Sequence, residues 1–373
     1  MGILAPSEVE SRRFGMRVFR AETHDLDAKA LLREILAAEA DLVILRLPAG
    51  DLAQLSRLER SGLPYLVADT LVYYVAELAK MPSTALANRD LEFVAAGEGE
   101  LESLDRLVGS VFAEYRNHYA SNPFLPKSGL IDGYREWARS FASGAPEKRA
   151  WLIRRGSELV GFSTCSEHGD RGVVVVGGIE PTASGGGLYG DMIRFSRDHF
   201  RGRGLREMEV STQVQNFAVQ KVWSREGFVM REAKTTVHLN PFLHHSLRPL
   251  DAFEFAASAE EVEAWGELSG DRNPVHFSDE FASRHGFPSR IAHGLLPVSQ
   301  LSRHFGTVYP GPGTLFLGFS VSFLKPLVVG GRYRGSIRYP AIDSERGFVH
   351  ASADVRDGEG RFCLLAQCKL LRR

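Results

Sequence analysis

An aspartate and a histidine five positions apart, Asp271 and His276, stand in the stretch SGDRNPVHFSDEFASRHGFPSRIAHGLL at residues 269–296. Between them, Asn273-Pro274 starts a turn, because Pro274 fixes its own φ and biases Asn273 away from helical backbone. Further along, Ile291 to Leu296 opens a long apolar segment that predicts a buried helix. Gly294, at the start of that helix, lets a ligand carbonyl approach free backbone N–H groups that the helix dipole makes electropositive. An acid, a base and an oxyanion donor are the minimum set for adding or removing water beside a carbonyl. By itself, the run from Asp271 to His276 can equally be an Asx-type surface turn with a solvated histidine.

A second chemical signal lies earlier, in the run Ser184-Gly185-Gly186-Gly187. It falls between a strand expected at 172–179 and a helix expected at 188–200. Glycines let the backbone turn its N–H groups toward an anion at a helix N-terminus, which is how a phosphate cradle is made. A plain strand–helix loop is the alternative. Downstream come a strand at 207–211, a helix at 216–226 and a strand at 228–239, carrying the pattern Asn216, Trp223, Gly227-Phe228.

The elements that must position these groups follow from periodicity and breakers. Residues 17–90 alternate strand and helix patterns: a short strand at 17–20, a helix at 27–40, a buried strand at 42–45, a helix at 51–61 capped by Asp51, and a strand at 65–74. This segment has no nucleophile, metal cluster or phosphate loop and reads as a structural α/β subdomain. A polar break at 81–90 precedes a strand at 91–95, helices at 101–115 and 134–141, and strands at 151–155 and 159–166. Residues 240–250, with two prolines, read as a linker, and His244-His245 within it as a solvated pair. Beyond lie a strand at 253–256, a helix at 258–268 with the capping box Ser258/Glu261, and, after the central helix, strands at 314–323, 333–339, 348–355 and 362–371.

Composition bounds the rest. At 373 residues two or three domains are expected, and 44% hydrophobic with 24% charged residues is ordinary for a soluble globular chain. A net charge of −1 gives no electrostatic reason to propose nucleic acid as a partner. No apolar run approaches the ~20 residues that span a bilayer, and the N-terminus lacks a signal-peptide pattern. Three cysteines, Cys165, Cys363 and Cys368, lack metal spacing and fit reduced thiols in a cytoplasmic protein, so no metal is expected.

Two family resemblances join these signals. Residues 250–373 resemble the MaoC-like (R)-specific enoyl-CoA hydratases and dehydratases, through Gly270-Asp271-x-Asn273-Pro274-x-His276, Ala292-His293-Gly294-Leu295-Leu296, the run from Phe319 to Pro326, and Val329-Gly330. The resemblance implies a hot-dog fold, with a curled antiparallel sheet wrapping the central helix. It also implies that Asp271 and His276 are the catalytic pair, that the Gly294 N–H polarises the thioester carbonyl, and that Ser302 is an active-site serine. Residues 91–240, and more loosely 17–240, resemble the acyl-CoA-binding half of GNAT-superfamily acyltransferases. Tyr119, Asn122-Pro123, Tyr134 and Trp137 add a likeness to dTDP-fucosamine acetyltransferases.

That second resemblance implies that Ile179 and its neighbours hold the thioester by strand-edge backbone groups. The amides of Gly185, Gly186, Gly187 and Leu188 would hold the pyrophosphate, and Asn216 the pantetheine arm. The chain departs from the pattern at Ser184, where Arg or Gln is usual, at Tyr189 in place of a closing glycine, and at Trp223, where a tyrosine general acid often stands. Together the signals predict an α/β subdomain at 1–90, a GNAT-like domain at 91–242 and an α+β hot dog at 250–373. The expected activity is that of a bifunctional enzyme handling acyl-CoA or carrier-protein thioesters and pairing as a homodimer through its hot dogs. Two alternatives stay open: an N-acyltransferase for an aminosugar or other amine with the hot dog as acyl-binding or dimerising module, and a non-enzymatic thioester scaffold.

Overall fold

The computed structural model describes residues 3–115, 117–240 and 244–373, so part of the expected linker lies outside the described residues. The chain forms two compact units. One takes the N-terminal residues to Leu45, residues 53–66 and everything from His238; the other takes 46–52 and 67–237. Among the described residues no helix is long and apolar enough to cross a membrane.

In the first unit, β1 (Ala5–Pro6) pairs antiparallel with β2 (Val18–Glu22) around α1 (Glu8–Phe14). Asp27 caps α2 (Ala28–Ala38) by accepting from the Lys29 and Ala30 N–H groups. The buried run at Leu42 makes β3 (Leu42–Pro48), three residues longer than the expected strand. α3 (Leu52–Ser61) ends at Gly62, whose φ of +71° suits glycine. His244 contradicts the solvated-pair expectation: it is buried, and burial pushes its pKa down to about 4. Here the chain folds back on Asp41, whose carboxylate accepts from the Ser246 N–H at 2.9 Å.

The second unit is built on β4 (Tyr65–Glu77), β5 (Leu91–Ala95), β6 (Lys148–Arg155), β7 (Glu158–His168), β8 (Arg171–Ile179), β9 (Glu207–Gln213) and β10 (Val229–Leu239), in the sheet order β10-β4-β9-β8-β7-β6-β5. Its helices are α4 (Leu101–Val111), α5 (Leu130–Arg139), α6 (Leu188–Gly202) and α7 (Phe217–Arg225). α4 stops four residues short of the expected end. Phe112 leaves helical backbone and stacks on Tyr134, ring centroids 4.4 Å apart. From β5 to β8 the strands run antiparallel, but β8 and β9 are parallel and pair only from Arg171–Val174 to Glu207–Val210. Past those residues the two strands part, leaving one edge of Val175 to Ile179 without a ladder partner among the described residues, while the other edge stays paired to β7.

The C-terminal part of the first unit is the expected hot dog. β11 (Asp251–Ala256) is followed by α8 (Ala259–Ser269), α9 (Asp279–Arg284) and α10 (Leu295–Thr307), then β12 (Thr314–Phe323), β13 (Arg332–Asp343), β14 (Phe348–Arg356) and β15 (Phe362–Arg372). The five strands form one antiparallel sheet, ordered β11-β13-β14-β15-β12. α10 buries Leu296, Val298, Leu301 and Phe305 against the sheet, where Ala351, Ala353 and Ala366 leave room for the helix. Each such side chain contributes roughly 1.5–3 kcal/mol by leaving water. The capping box is present: Ser258 Oγ accepts from the Glu261 N–H, and the Glu261 carboxylate from the Ser258 N–H. The sequence patterns had not revealed α9, a short helix capped by Ser278.

Candidate active site

Four local bonds shape the turn that carries Asp271 and His276. The Asp271 N–H donates to Ser269 Oγ, the Asn273 N–H to Asp271 Oδ1 at 3.1 Å, the Val275 N–H to Asn273 Oδ1, and the His276 N–H to the Asn273 carbonyl. Asn273 has ψ 121°, the extended backbone that a following proline imposes. This chain of Asx-type bonds is the surface turn that the sequence allowed. It also holds an acid and a base toward each other, with Asp271 Oδ2 3.8 Å from His276 Nε2.

The second half of the site is clamped from both sides. The Ile291 N–H donates to the Val275 carbonyl, and the Ala292 N–H to the Leu327 carbonyl at 2.7 Å. The Ile291 carbonyl in turn meets His276 Nδ1 at 2.8 Å. A carbonyl can only accept, so Nδ1 carries the proton and, in the uncharged ring, Nε2 presents its lone pair toward Asp271. Since 3.8 Å is too long for a direct hydrogen bond, a single water oxygen can be held by both groups.

His293 is the residue that the sequence reading missed. Its Nε2 lies 3.1 Å from the Asp271 carbonyl, and its ring centroid is 3.9 Å from that of His276. Asp271, His276 and His293 form a group among the described residues whose ligand atoms lie within 4.8 Å of one another. Such donors could hold a divalent ion as well as a water. The signal was in the sequence, as the residue before Gly294, but only the fold puts it against the turn.

Gly294 caps α10, so its amide and that of Leu295 have no intrahelical acceptor, whereas the Leu296 N–H donates to the His293 carbonyl at 3.0 Å and Pro297 has no N–H. A Cβ here would lie 3.5 Å from the Phe323 ring, a contact that a methyl could make but that would fill the approach to the amide. Ser302 is not brought to this group. It is exposed, eight residues beyond Gly294 along the helix, roughly 12 Å of rise. Ser299 stands nearer, with Oγ donating to the Leu296 carbonyl at 2.6 Å.

These elements carry the MaoC motifs in order, and residues 240–351 match the family model described as "MaoC like domain". The C-terminal domain is MaoC-like. Among curated relatives, the 3-hydroxybutyryl-CoA dehydratase of Methylorubrum extorquens is 41% identical over 73 residues, 20% of this chain and 46% of its own. Another similarity is to the mycothiol acetyltransferase of Streptomyces bingchenggensis, 36% identical over 84 residues, 22% of this chain and 27% of its own. The chain thus spans about half the length of the first relative and about a quarter of the second. The solved GCN5-related N-acetyltransferase from Sphaerobacter thermophilus is 13% identical, covering 63% of this chain and 75% of its own with a TM-score of 0.46.

Outside the MaoC-like domain, the glycine loop has the backbone that only glycine takes easily. Gly185, Gly186 and Gly187 have φ of +106°, +57° and +83°. Asn88 ties the loop down by donating to the Gly186 carbonyl at 2.8 Å, and Asp191, fully buried in α6, accepts from the Ala87 and Asn88 N–H groups. Leu188 opens α6 beyond the Gly187 cap. Ser184 Oγ donates to the Pro181 carbonyl. Ile179 ends β8 beside the parting of β8 and β9. Asn216 Nδ2 donates to Thr212 Oγ1 at 3.1 Å near the far side of that parting. Trp223 is a core residue, 2% exposed and packed on Tyr74, away from any role as proton donor.

Proposed function

We propose that the protein is a bifunctional thioester enzyme, with a hydratase or dehydratase site in the MaoC-like domain and an acyl-transfer site in the GNAT-like unit. The observation that carries the first half is the facing of Asp271 Oδ2 and His276 Nε2, with His276 Nδ1 locked on the Ile291 carbonyl. In the hydration direction, one water held between them loses a proton to one group and adds as hydroxide to Cβ of an enoyl thioester. The proton taken from the water is then delivered to Cα, which returns the pair to its starting state. Negative charge develops on the thioester oxygen, where the Gly294 amide stabilises it; losing one such donor costs about 3 kcal/mol of barrier. Dehydration of a 3-hydroxyacyl thioester is the same path reversed. The carrier is coenzyme A or an acyl carrier protein.

The second half is supported by the parted parallel strands β8 and β9 and by the glycine loop at the start of α6. The parting exposes backbone groups of Val175 to Ile179 to an extended pantetheine chain, and the loop offers amides to a pyrophosphate. Glu180 follows the last residue of β8, its Oε1 accepting from Ser110 Oγ and its Oε2 buried without a hydrogen-bond partner among the described residues. A homodimer belongs to the same reading. β12 is an edge strand whose Leu315, Leu317, Phe319 and Phe323 are 41–54% exposed, an apolar row that a second copy can cover.

Crotonyl-CoA hydration, followed at the enoyl absorbance, beside thiol release from acetyl-CoA with mixed amines tests both halves. Hydration without thiol release would leave the N-terminal unit as an acyl-CoA-binding module. Thiol release without hydration would favour the N-acyltransferase alternative, and neither activity would leave a thioester scaffold.

A further inference from the structure

Every residue from Ser269 to Pro274 is exposed, and the local bonds that shape this turn run within it. Such bonds fix the turn's own shape but not its distance from the wall behind it. The proposed chemistry needs that distance held, because Asp271 Oδ2 and His276 Nε2, 3.8 Å apart, must share one water. His276 is anchored: it is buried, with Nδ1 on the Ile291 carbonyl at 2.8 Å. For Asp271 the tie comes from His293, whose Nε2 lies 3.1 Å from the Asp271 carbonyl. A carbonyl only accepts, so Nε2 carries the proton and donates. The nearby pair of Arg272 with Glu263 is half exposed at both ends and adds little.

The same imidazole also touches the base. Its ring lies against that of His276, with centroids 3.9 Å apart and planes 30° apart, while the Phe277 ring meets it at 5.7 Å. One side chain thus contacts the backbone of the acid and the ring of the base. His293 is only 2% exposed, and its Nδ1 is buried without a hydrogen-bond partner among the described residues. Burying that nitrogen costs free energy that an apolar side chain of similar size would not incur. The bond from Nε2 and the face laid on His276 are what offset it.

We propose that His293 is a positioning residue of the hydration site: its Nε2–H sets where Asp271 stands, and its ring face sets the direction of His276. This rests on the hydratase reading of the MaoC-like domain. The Nε2 proton stays on its nitrogen throughout, so His293 exchanges none with water or substrate and acts through the acid and the base. Its loss therefore changes kcat, which depends on the geometry around the water, and leaves KM, which the thioester contacts set. The bond and the ring face are separable by substitution. A glutamine amide can place a donor where Nε2 stands but has no ring, whereas phenylalanine keeps a ring and has no donor. Of the two, the bond is the larger part, because Asp271 is the exposed and loosely held member of the pair.

The test uses the full chain and crotonyl-CoA, with His293→Phe and His293→Gln, each alone and combined with Asp271→Asn. The expected result is kcat down about 100-fold in His293→Phe and within about tenfold of wild type in His293→Gln, with KM within about threefold in both. If His293→Phe does not fold, His293→Leu, which also lacks the donor, takes its place in the comparison. On the Asp271→Asn background, His293→Phe should cost less than about threefold more, since the group it positions is already lost. A full 100-fold loss on that background would show His293 acting on the water directly and overturn the positioning role. So would His293→Gln no more active than His293→Phe, or a loss carried by KM. A wild type that neither hydrates crotonyl-CoA nor dehydrates 3-hydroxybutyryl-CoA removes the hydratase reading and this role with it. An active wild type with His293→Phe within about threefold of it overturns this role alone.

Discussion

Replacing Asp271 with asparagine strikes the proposed hydration chemistry with little disturbance to the fold. The side chain is 50% exposed, and its one local bond, from the Asn273 N–H to Oδ1, survives because asparagine keeps that oxygen. Folding stability should therefore move by less than about 0.5 kcal/mol. What changes is the atom facing His276 Nε2 at 3.8 Å, from a proton-exchanging oxygen to an amide nitrogen that can only donate. A positioned acid–base group contributes about 10²–10⁴-fold, or about 2.7–5.4 kcal/mol of barrier. We expect kcat for crotonyl-CoA hydration to fall by that factor, with KM within about threefold. His276→Ala should fall similarly, and the double variant should be no more than about tenfold worse than the poorer single one, since both groups act on one water. Retention of more than about a tenth of the activity by either single variant would refute this reading.

Three further expectations follow from the same structure. Acetyl-CoA should raise the thermal midpoint of the full chain, by about 2.7 kcal/mol of apparent stability at a hundredfold excess over Kd, and Gly186→Val, strained at φ +57°, should abolish the shift; an equal shift in the variant would make the loop a structural turn. Burial holds His238 and His244 down to about 4, against about 6.5 in an open chain, so both stay neutral in the fold where the unfolded chain takes up protons. Stability should then be full above pH ~6.5 and decline between about 6.5 and 4 by up to about 1.4 kcal/mol per pH unit for each histidine, a slope that urea midpoints should show flattened in His244→Gln. Light scattering should give twice the chain mass for the wild type and a shift to monomer in Phe319→Lys on the β12 edge; a monomeric wild type with full hydratase activity would sink the dimer.

Much of the fold was legible because local rules and tertiary context agree. Strand 91–95 and strand 314–323 fall where alternation and breakers put them, and Ser258 with Glu261 starts α8 as a capping box does anywhere. Where context wins, the patterns misled. α4 stops at Val111, where Phe112 leaves helical backbone and stacks on Tyr134, a contact that periodicity along the chain does not show. His244 reads as solvated beside a polar neighbour, yet the fold back onto Asp41 buries it.

For the site, the sequence by itself determined the chemistry available: an Asx-Pro turn carrying Asp271 and His276, a glycine at a helix start, and a glycine run whose positive φ values no other residue adopts without strain. Those are local requirements, set by residue type and spacing along the chain. Which groups meet was decided by tertiary structure alone. The clamp of residues 291–293 between Val275 and Leu327 gives His276 its tautomer and brings His293 to the turn, whereas helix geometry carries Ser302 away. Likewise Asp69, Gln213 and Thr236 lie far apart in the chain, and only the strand order β10-β4-β9 brings the Thr236 and Gln213 side chains to the Asp69 carboxyl. Hydrogen-bond partnership across strands depends on register and sheet order, which spacing along one chain does not encode.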